Sequence, residues 1–356
     1  LFENKTEDNI QKDLLNNISD DYEKSAGYPI YDLTKAYSIE EAESYKNLKK
    51  VLDKLDVNNL SDSELEKFIY QRTGITRKPG GYAHTDLTVN GTTTVSEGAI
   101  FQTPAGIQFV CTKQTTITNS GTIPIQALQI GSGSNVPSNA ITQMPVTIKG
   151  IIFITNLQTI TNGYDEENDD SLRQRYFERL RTPATSGNKY QYKNWCKDVT
   201  GVGDAKIIPL WNGNGTVKAI IMNSNKRAAD NELIQKVKDY IDPDDGKGEG
   251  QAPIGATLTV VSAVEKVIDA SAKIVLAGGY TLQQVQDGFT TLVQNYLNDI
   301  VFNSTYISYA KIGNLLFSTP GVLDYDSSSL ILNNGTINVP LANEEIPVSG
   351  SINLGV

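Results

Sequence analysis

The densest group of chemically capable side chains is the run Asp165-Glu166-Glu167-Asn168-Asp169-Asp170. Carboxylates crowded in this way can bind a hard cation such as Ca²⁺, which takes several oxygen ligands. They can also supply the paired carboxyl groups of glycoside hydrolysis. The competing reading is electrostatic: acids ahead of a helix complement its positive end, with Asp169 or Asp170 as the cap. The second acidic stretch, Asp242-Pro243-Asp244-Asp245-Gly246, reads as a solvated turn, because its glycine falls where an EF-hand needs a ligand. Arg173, Arg175, Arg179 and Arg181 make a basic helix face suited to phosphate or carboxylate. The acids just before them are the simplest partners.

Other catalytic sets are hard to assemble. There is one histidine, His84, at the junction of a helical and a β-rich region, where it reads as structural or surface. A Ser-His-Asp triad or a multi-His metal centre would have to use it or do without. Cys111 and Cys196 form no CxxC pair, so a Cys/His zinc site is not expected within one chain. Cys111 reads as a small buried apolar residue. The Gly201-Val202-Gly203 and Gly213-Asn214-Gly215 pairs lack the third glycine and following helix of a dinucleotide fingerprint. No catalytic, metal or cofactor residue is therefore assigned, and no cofactor is expected.

The elements that would position these residues follow from periodicity. Residues 1–84 read as a helical N-terminal region, in which Ile10, Leu14, Leu15 and Ile18 share a helical face. Ser38 with Glu41, and Ser61 with Glu64, have capping-box spacing, and Gly74 is placed to stop the second helix. Ile39, Ala42, Tyr45, Leu48, Leu52 and Leu55 recur every three or four residues. That stripe is either the region's own core face or a partner-binding face. Residues 85–160 read as a β-rich domain, with hairpin turns expected at Asn90-Gly91 and around Pro104-Ala105-Gly106. Residues 161–264 read as an α+β middle domain, with Leu172, Tyr176 and Leu180 expected as buried positions of its first helix. Residues 265–356 read as an α+β C-terminal domain with a long helix from Thr281 and a hairpin at Asn334-Gly335. The fold class is α+β multidomain.

Composition narrows function further. The chain has 356 residues, 31 basic and 41 acidic, for a formal net charge of −10. Without a basic cluster this does not suit a nucleic-acid binder. No apolar run reaches the ~20 residues of a membrane span, and the N-terminus lacks the pattern of a signal peptide. A long acidic chain with no convergent catalytic set reads as an assembly component.

Several stretches in order resemble the baseplate J-like family of contractile phage tails and phage-tail-like bacteriocins, above all its PBSX-type prophage subgroup. They are AYSIEEAESYKNLKKVLDKL (36–55), YQRTGITRKPGGYA (70–83), GSGSNVPSNAIT (131–142) and IKGIIFITN (148–156). NGYDEENDDSLRQRYFERL (162–180) is the most specific, followed by SGNKYQYKNWCKDVTGVGDAKIIPLWNGNGTVKAIIM (186–222), APIGATLTVVSA (252–263) and ANEEIPVSGSINL (342–354). The start at Leu1 departs from the family pattern and suggests a trimmed start.

The resemblance implies a structural baseplate wedge protein, not an enzyme, in a ring around the tail hub that links fibres to sheath and rearranges to trigger contraction. It implies partners: a second copy, another wedge protein, neighbouring wedges, the sheath initiator and the tail-fibre network, with no nucleic acid and no membrane. It implies assembly in the bacterial cytoplasm and release by lysis. Within that frame Tyr45, Leu48, Leu52 and Leu55 are the expected partner-interface residues. The rival readings are a carbohydrate-binding or glycan-cleaving tail component and a secreted adhesin.

Overall fold

The computed structural model describes residues 2–356. The chain forms two compact units. One holds the chain through Arg77 together with Asn168–Glu178, and the other holds Lys78–Glu167 and Arg179–Val356. The architecture is α+β and multidomain, with N-terminal helices followed by a β-rich domain and then mixed structure.

The N-terminal unit contains Glu7–Asn16 (α1), Pro29–Asp53 (α2), Asp62–Thr73 (α3) and the first part of Asp169–Arg181 (α4). Thr6 caps α1 by accepting from the Asn9 N–H. The longest helix, α2, starts well before the expected cap at Ser38. Gly27 turns the chain at φ +92°, and Pro29, with its helical φ and no N–H to satisfy, opens the first turn. Ser38 lies buried in the helix interior, its hydroxyl donating to the Lys35 carbonyl at 2.8 Å. The second expected capping box does not close either. Ser61 makes no side-chain cap bond, and Glu64 pairs with Lys54. Gly74 ends α3 in the left-handed region at φ +71°, as its position suggests.

Helix α1 lies along α2, where Gln11 donates to the Tyr31 carbonyl at 3.2 Å and to Thr34 Oγ1 at 3.0 Å. A separate small core joins Val57, Leu60, Leu65 and Ile69 to Leu172 and Tyr176 of α4. The start of α4 thus belongs to the N-terminal unit, not the middle domain. Leu180 is exposed rather than buried. Proximity in sequence groups this helix with the residues after it, whereas its apolar face is claimed by residues about a hundred positions earlier.

The β-rich domain consists of Tyr82–Gly91 (β1), Thr93–Val95 (β2), Ile100–Gln102 (β3), Gln108–Cys111 (β4), Thr115–Ile117 (β5), Ser120–Ile130 (β6) and Ile151–Thr155 (β7). Five strands form a sheet in the order β3-β4-β6-β1-β7, and β2 pairs with β5. The turn at Pro104–Gly106 is present, with Gly106 at φ +87° and Phe101 opposite Phe109. Asn90-Gly91 is not a hairpin. Strand β1 runs through it and pairs with β6 and β7, while β2 enters the other ladder. Gly91 is there for close approach: a Cβ would sit 2.0 Å from the Gly150 carbonyl oxygen. Inward residues Leu87, Val89, Phe109, Ile123 and Ile154 fill the core.

In the central region Lys189–Asp198 (α5), Val202–Pro209 (β8), Thr216–Asn223 (β9), Asn231–Ile241 (α6) and Thr257–Ser262 (β10) succeed one another. β8 and β9 form a hairpin, and α6 carries the chain over to β10, which pairs parallel to β9. Asn188 and Asp230 cap α5 and α6. The expected solvated turn after α6 is anchored instead by a buried carboxylate. Asp242 accepts from the Leu258 N–H at 2.8 Å, the Gly246 N–H at 3.1 Å and Lys238 Nζ at 2.8 Å. Burial pushes this carboxyl up, but those donors outweigh it and hold it below the ordinary value.

The C-terminal region is built on Val264–Leu276 (β11) and Leu282–Ile300 (α7), with Tyr306–Ile307 (β12), Tyr309–Phe317 (α8), Val322–Tyr325 (β13), Ile331–Leu332 (β14), Val339–Pro340 (β15) and Glu345–Gly355 (β16). β11 pairs antiparallel with β13 and β14 and parallel with β16. Thr281 and Gln284 form a reciprocal capping box on α7, whose Val285, Phe289, Val293 and Leu297 are buried. The turn expected at Asn334-Gly335 sits one residue earlier. Asn333 and Asn334 occupy the left-handed region at φ +44° and +61°, and Leu332 and Gly335 exchange both backbone hydrogen bonds. The flanking strands then pair elsewhere, β14 with β11 and β15 with β12.

Candidate assembly surfaces

The expected interface residues lie on α2 and just beyond its end. Leu48, Leu52 and Leu55 are 40–65% exposed, and none joins the core of the N-terminal unit. Tyr45 differs. It is half-buried, with its ring 5.2 Å from that of Phe2 and Lys5 Nζ 5.8 Å from its centroid. Val51, exposed and spaced three and four residues from Leu48 and Leu55, completes a coiled-coil-like seam that the sequence reading missed. Leu33 and Tyr37 extend the exposed apolar side chains toward the start of α2. The residues of α2 that are buried are Ser38 and Ala42.

The acidic run does not converge. Asp165 accepts from the Ser132 N–H at 2.9 Å and hydroxyl at 2.6 Å, and these bonds lower its carboxyl from the ordinary value. Glu167 accepts from the Lys78 N–H at 3.1 Å. The cap of α4 is Asn168, whose Oδ1 accepts from the Ser171 N–H at 2.9 Å; Asp169 and Asp170 already lie within the helix. An amide oxygen fills this position as well as a carboxylate does. Asp169 pairs with Arg77, which lowers its carboxyl, and Asp170 pairs with Arg173 at 2.7 Å. Among the described residues no group of three or more His, Cys, Asp or Glu side chains could hold a metal ion.

Arg173, Arg175 and Arg179 of α4 are structural tethers. Arg173 donates to the Val57 and Leu60 carbonyls at 3.2 and 2.9 Å, and Arg175 to the Thr76 carbonyl at 2.7 Å. Arg179 lies 3.7 Å from Asp198.

Within the second unit, polar clamps join successive domains. His84 Nε2 lies 3.1 Å from Glu232 and 3.5 Å from Asp230. Asn162 accepts from the His84 N–H and donates to the His84 carbonyl and Asp230, each at 3.0 Å. Farther along, Arg227 grips Glu265 through Nε at 2.8 Å and Nη2 at 2.7 Å, and the Ala228 N–H adds a bond at 2.9 Å. Periodicity gives no signal for this pair, because Arg227 lies in the loop between β9 and α6 and Glu265 is only the second residue of β11. Both cysteines are free and buried. Burial, with Asp204 nearby, pushes the Cys196 thiol up to about 12, which leaves it unreactive as a nucleophile. No helix among the described residues is long and apolar enough to cross a membrane.

Comparison with known proteins places these observations. Residues 86–163 match the baseplate J-like protein barrel domain, 184–262 the baseplate J-like central domain, and 268–355 the baseplate J-like protein C-terminal domain. The phage-like element PBSX protein XkdT of Bacillus subtilis (strain 168) is 35% identical over 357 residues, covering 99% of both chains. The uncharacterized protein YqbT of the same strain is 36% identical over 358 residues, again covering 99% of each. Baseplate protein gp47 of Escherichia phage Mu is 28% identical over 210 residues, 55% of this chain and 57% of that protein. With three successive domain matches and full-length relatives above 30% identity, the chain belongs to the baseplate J-like protein family.

Proposed function

We propose that this chain is a structural, non-enzymatic wedge of the baseplate of a contractile phage tail or tail-like particle. In this reading the region through residue 84 serves assembly, and the later domains build the ring around the hub. The names of two relatives, a PBSX phage-like element protein and a Mu baseplate protein, support the setting. The observation that carries the wedge role is the exposed apolar seam of α2 and the residues just after it, Leu48, Val51, Leu52 and Leu55. An amphipathic helix gains most of its stability by burying its apolar face. That face is covered when α2 joins a helical bundle with a second copy and another wedge protein. Neighbouring wedges, the sheath initiator and tail fibres contact the remaining domains, and the ring rearranges to release contraction. The chain assembles in the bacterial cytoplasm and leaves by lysis.

Division of the chain into several moderate cores suits a ring that must be stable yet able to switch. The test is localisation. Purified particles carrying an epitope on this chain should bind antibody at the baseplate end, before and after contraction. Label along the sheath, or absence of the chain from purified particles, would refute the wedge reading.

A further inference from the structure

Charge is spread very unevenly along this chain. Charged residues are 20% of the whole, yet residues 86–163 contain only Asp86, Glu97, Lys113 and Lys149. Two of these are acidic and two basic, so the formal charge of −10 lies entirely outside the barrel domain. Two copies of so acidic a chain repel one another over most of their surfaces. The barrel domain is where they can approach without that cost, and charge depletion is the compositional mark of an interface core.

The barrel domain also has an open edge. β7 ends the sheet order and, among the described strands, pairs only with β1. Edge strands are normally guarded by charges, prolines or bulges that block further pairing. β7 has none of the first two: no charged residue falls between Lys149 and Asp165, and no proline lies in the strand. Its Ile152 is 86% exposed, and Phe153 beside it is exposed as well. In a strand these neighbours point to opposite faces, so both faces of the edge are apolar there.

We propose that the β7 edge of the barrel domain is a contact between copies of this chain, in which two β7 strands pair antiparallel across a two-fold axis near Ile152. Main-chain hydrogen bonds supply the pairing, and self-complementarity follows from the two-fold. The contact goes beyond the role given to α2 and does not depend on it.

Paired residues on antiparallel strands bring their Cβ atoms to about 4.5–5.5 Å, near disulfide range. Because Cys111 and Cys196 are buried, Ile152→Cys provides a single accessible thiol in the full-length chain. Mild oxidation should convert most of that variant to a covalent dimer on a non-reducing gel. Ile254→Cys, at a central-domain position of equal exposure (85%), should remain largely monomeric. Sedimentation of the unmodified chain should show self-association that persists at high salt. Ile152→Asp should weaken it at least tenfold while circular dichroism stays unchanged. The pair Leu48→Asp and Leu52→Asp should leave the 152 crosslink intact, which separates this contact from the α2 seam. Equal crosslinking at 152 and 254, no crosslink at 152, or a wild-type chain that stays monomeric throughout the micromolar range would overturn the proposal.

Discussion

Arg77 Nη2 lies 2.5 Å from Asp169 Oδ1, joining residues far apart in sequence within the N-terminal unit. The other carboxylate oxygen of Asp169 accepts from the Asp62 N–H at 3.0 Å, at the start of α3. Arg77 also pairs with Glu66. One carboxylate thus ties the beginning of α4 to both ends of the α3 segment.

Removing one partner of this network should be costly. Asp169→Asn keeps the shape but loses the charge, and hydrogen bonds to charged groups contribute about 1.5–3 kcal/mol. We expect Asp169→Asn to destabilise the N-terminal unit by the lower part of that range. Arg77→Met should cost more, because it leaves both Asp169 and Glu66 without this guanidinium. A double-mutant cycle monitored by chemical denaturation should give a coupling energy well above zero. Additive effects would show that the pair is incidental.

The same helix makes a packing prediction. Leu172 is fully buried against Val57, Leu60, Leu65 and Ile69, whereas Leu180 is exposed. Leu172→Ala should cost about 2–5 kcal/mol. Leu180→Ala should fall within about 0.5 kcal/mol of wild type, as exposed substitutions do. Chemical denaturation of the whole chain is the measurement, because Leu172 and Leu180 fall in different units, and equal effects at the two sites would contradict the burial.

These residues show where sequence reading reached its limit. Local chemistry was legible: Gly74 stops α3, the Pro104–Gly106 turn joins β3 to β4, and Thr281 opens α7. Each of those outcomes is decided within a few residues. Long-range choices were not. Asn90-Gly91 has hairpin composition, but β6 and β7 offer β1 longer ladders than β2 does. The face of α4 has a clear period, yet period does not say which core it joins. For the candidate interface, three of the four expected residues are exposed apolar side chains, and Tyr45 is partly covered by Phe2. That contact comes from the residues before α1, whose position a helical wheel does not reveal.

Acid should loosen the junction between the central and C-terminal domains. Burial raises the Glu265 carboxyl, but the Arg227 and Ala228 hydrogen bonds outweigh it and hold it below 4.5. Because the folded value is depressed, the clamp's contribution is fully present above the unfolded value. It is lost as pH falls from there through the folded value. The protection of amides around Ala228 and Glu265, measured as hydrogen exchange corrected for the intrinsic rate at each pH, should therefore fall as the solution is acidified below the ordinary glutamate value. Glu265→Gln should show low protection there already at neutral pH and much less further loss on acidification. A wild-type profile flat down to the acid limit would contradict this account of the clamp.

No glycan cleavage is expected from the acidic run, because Asp165, Glu167, Asp169 and Asp170 are bound to separate partners. Incubation with host peptidoglycan or surface polysaccharide should release no fragments. Release that vanished in Asp169→Ala or Glu167→Ala would restore the enzymatic reading.

If the α2 seam joins this chain to a second wedge protein as proposed, co-purification of the two from cells expressing both reports on it directly. Leu48 and Leu52 are exposed in the single chain, so Leu48→Asp with Leu52→Asp should leave its melting temperature and circular dichroism near wild type. Buried in a shared bundle, two unpaired carboxylates would be strongly unfavourable. We expect a soluble, folded double variant that no longer brings the partner down. A variant that co-purifies as well as wild type would contradict the role given to α2.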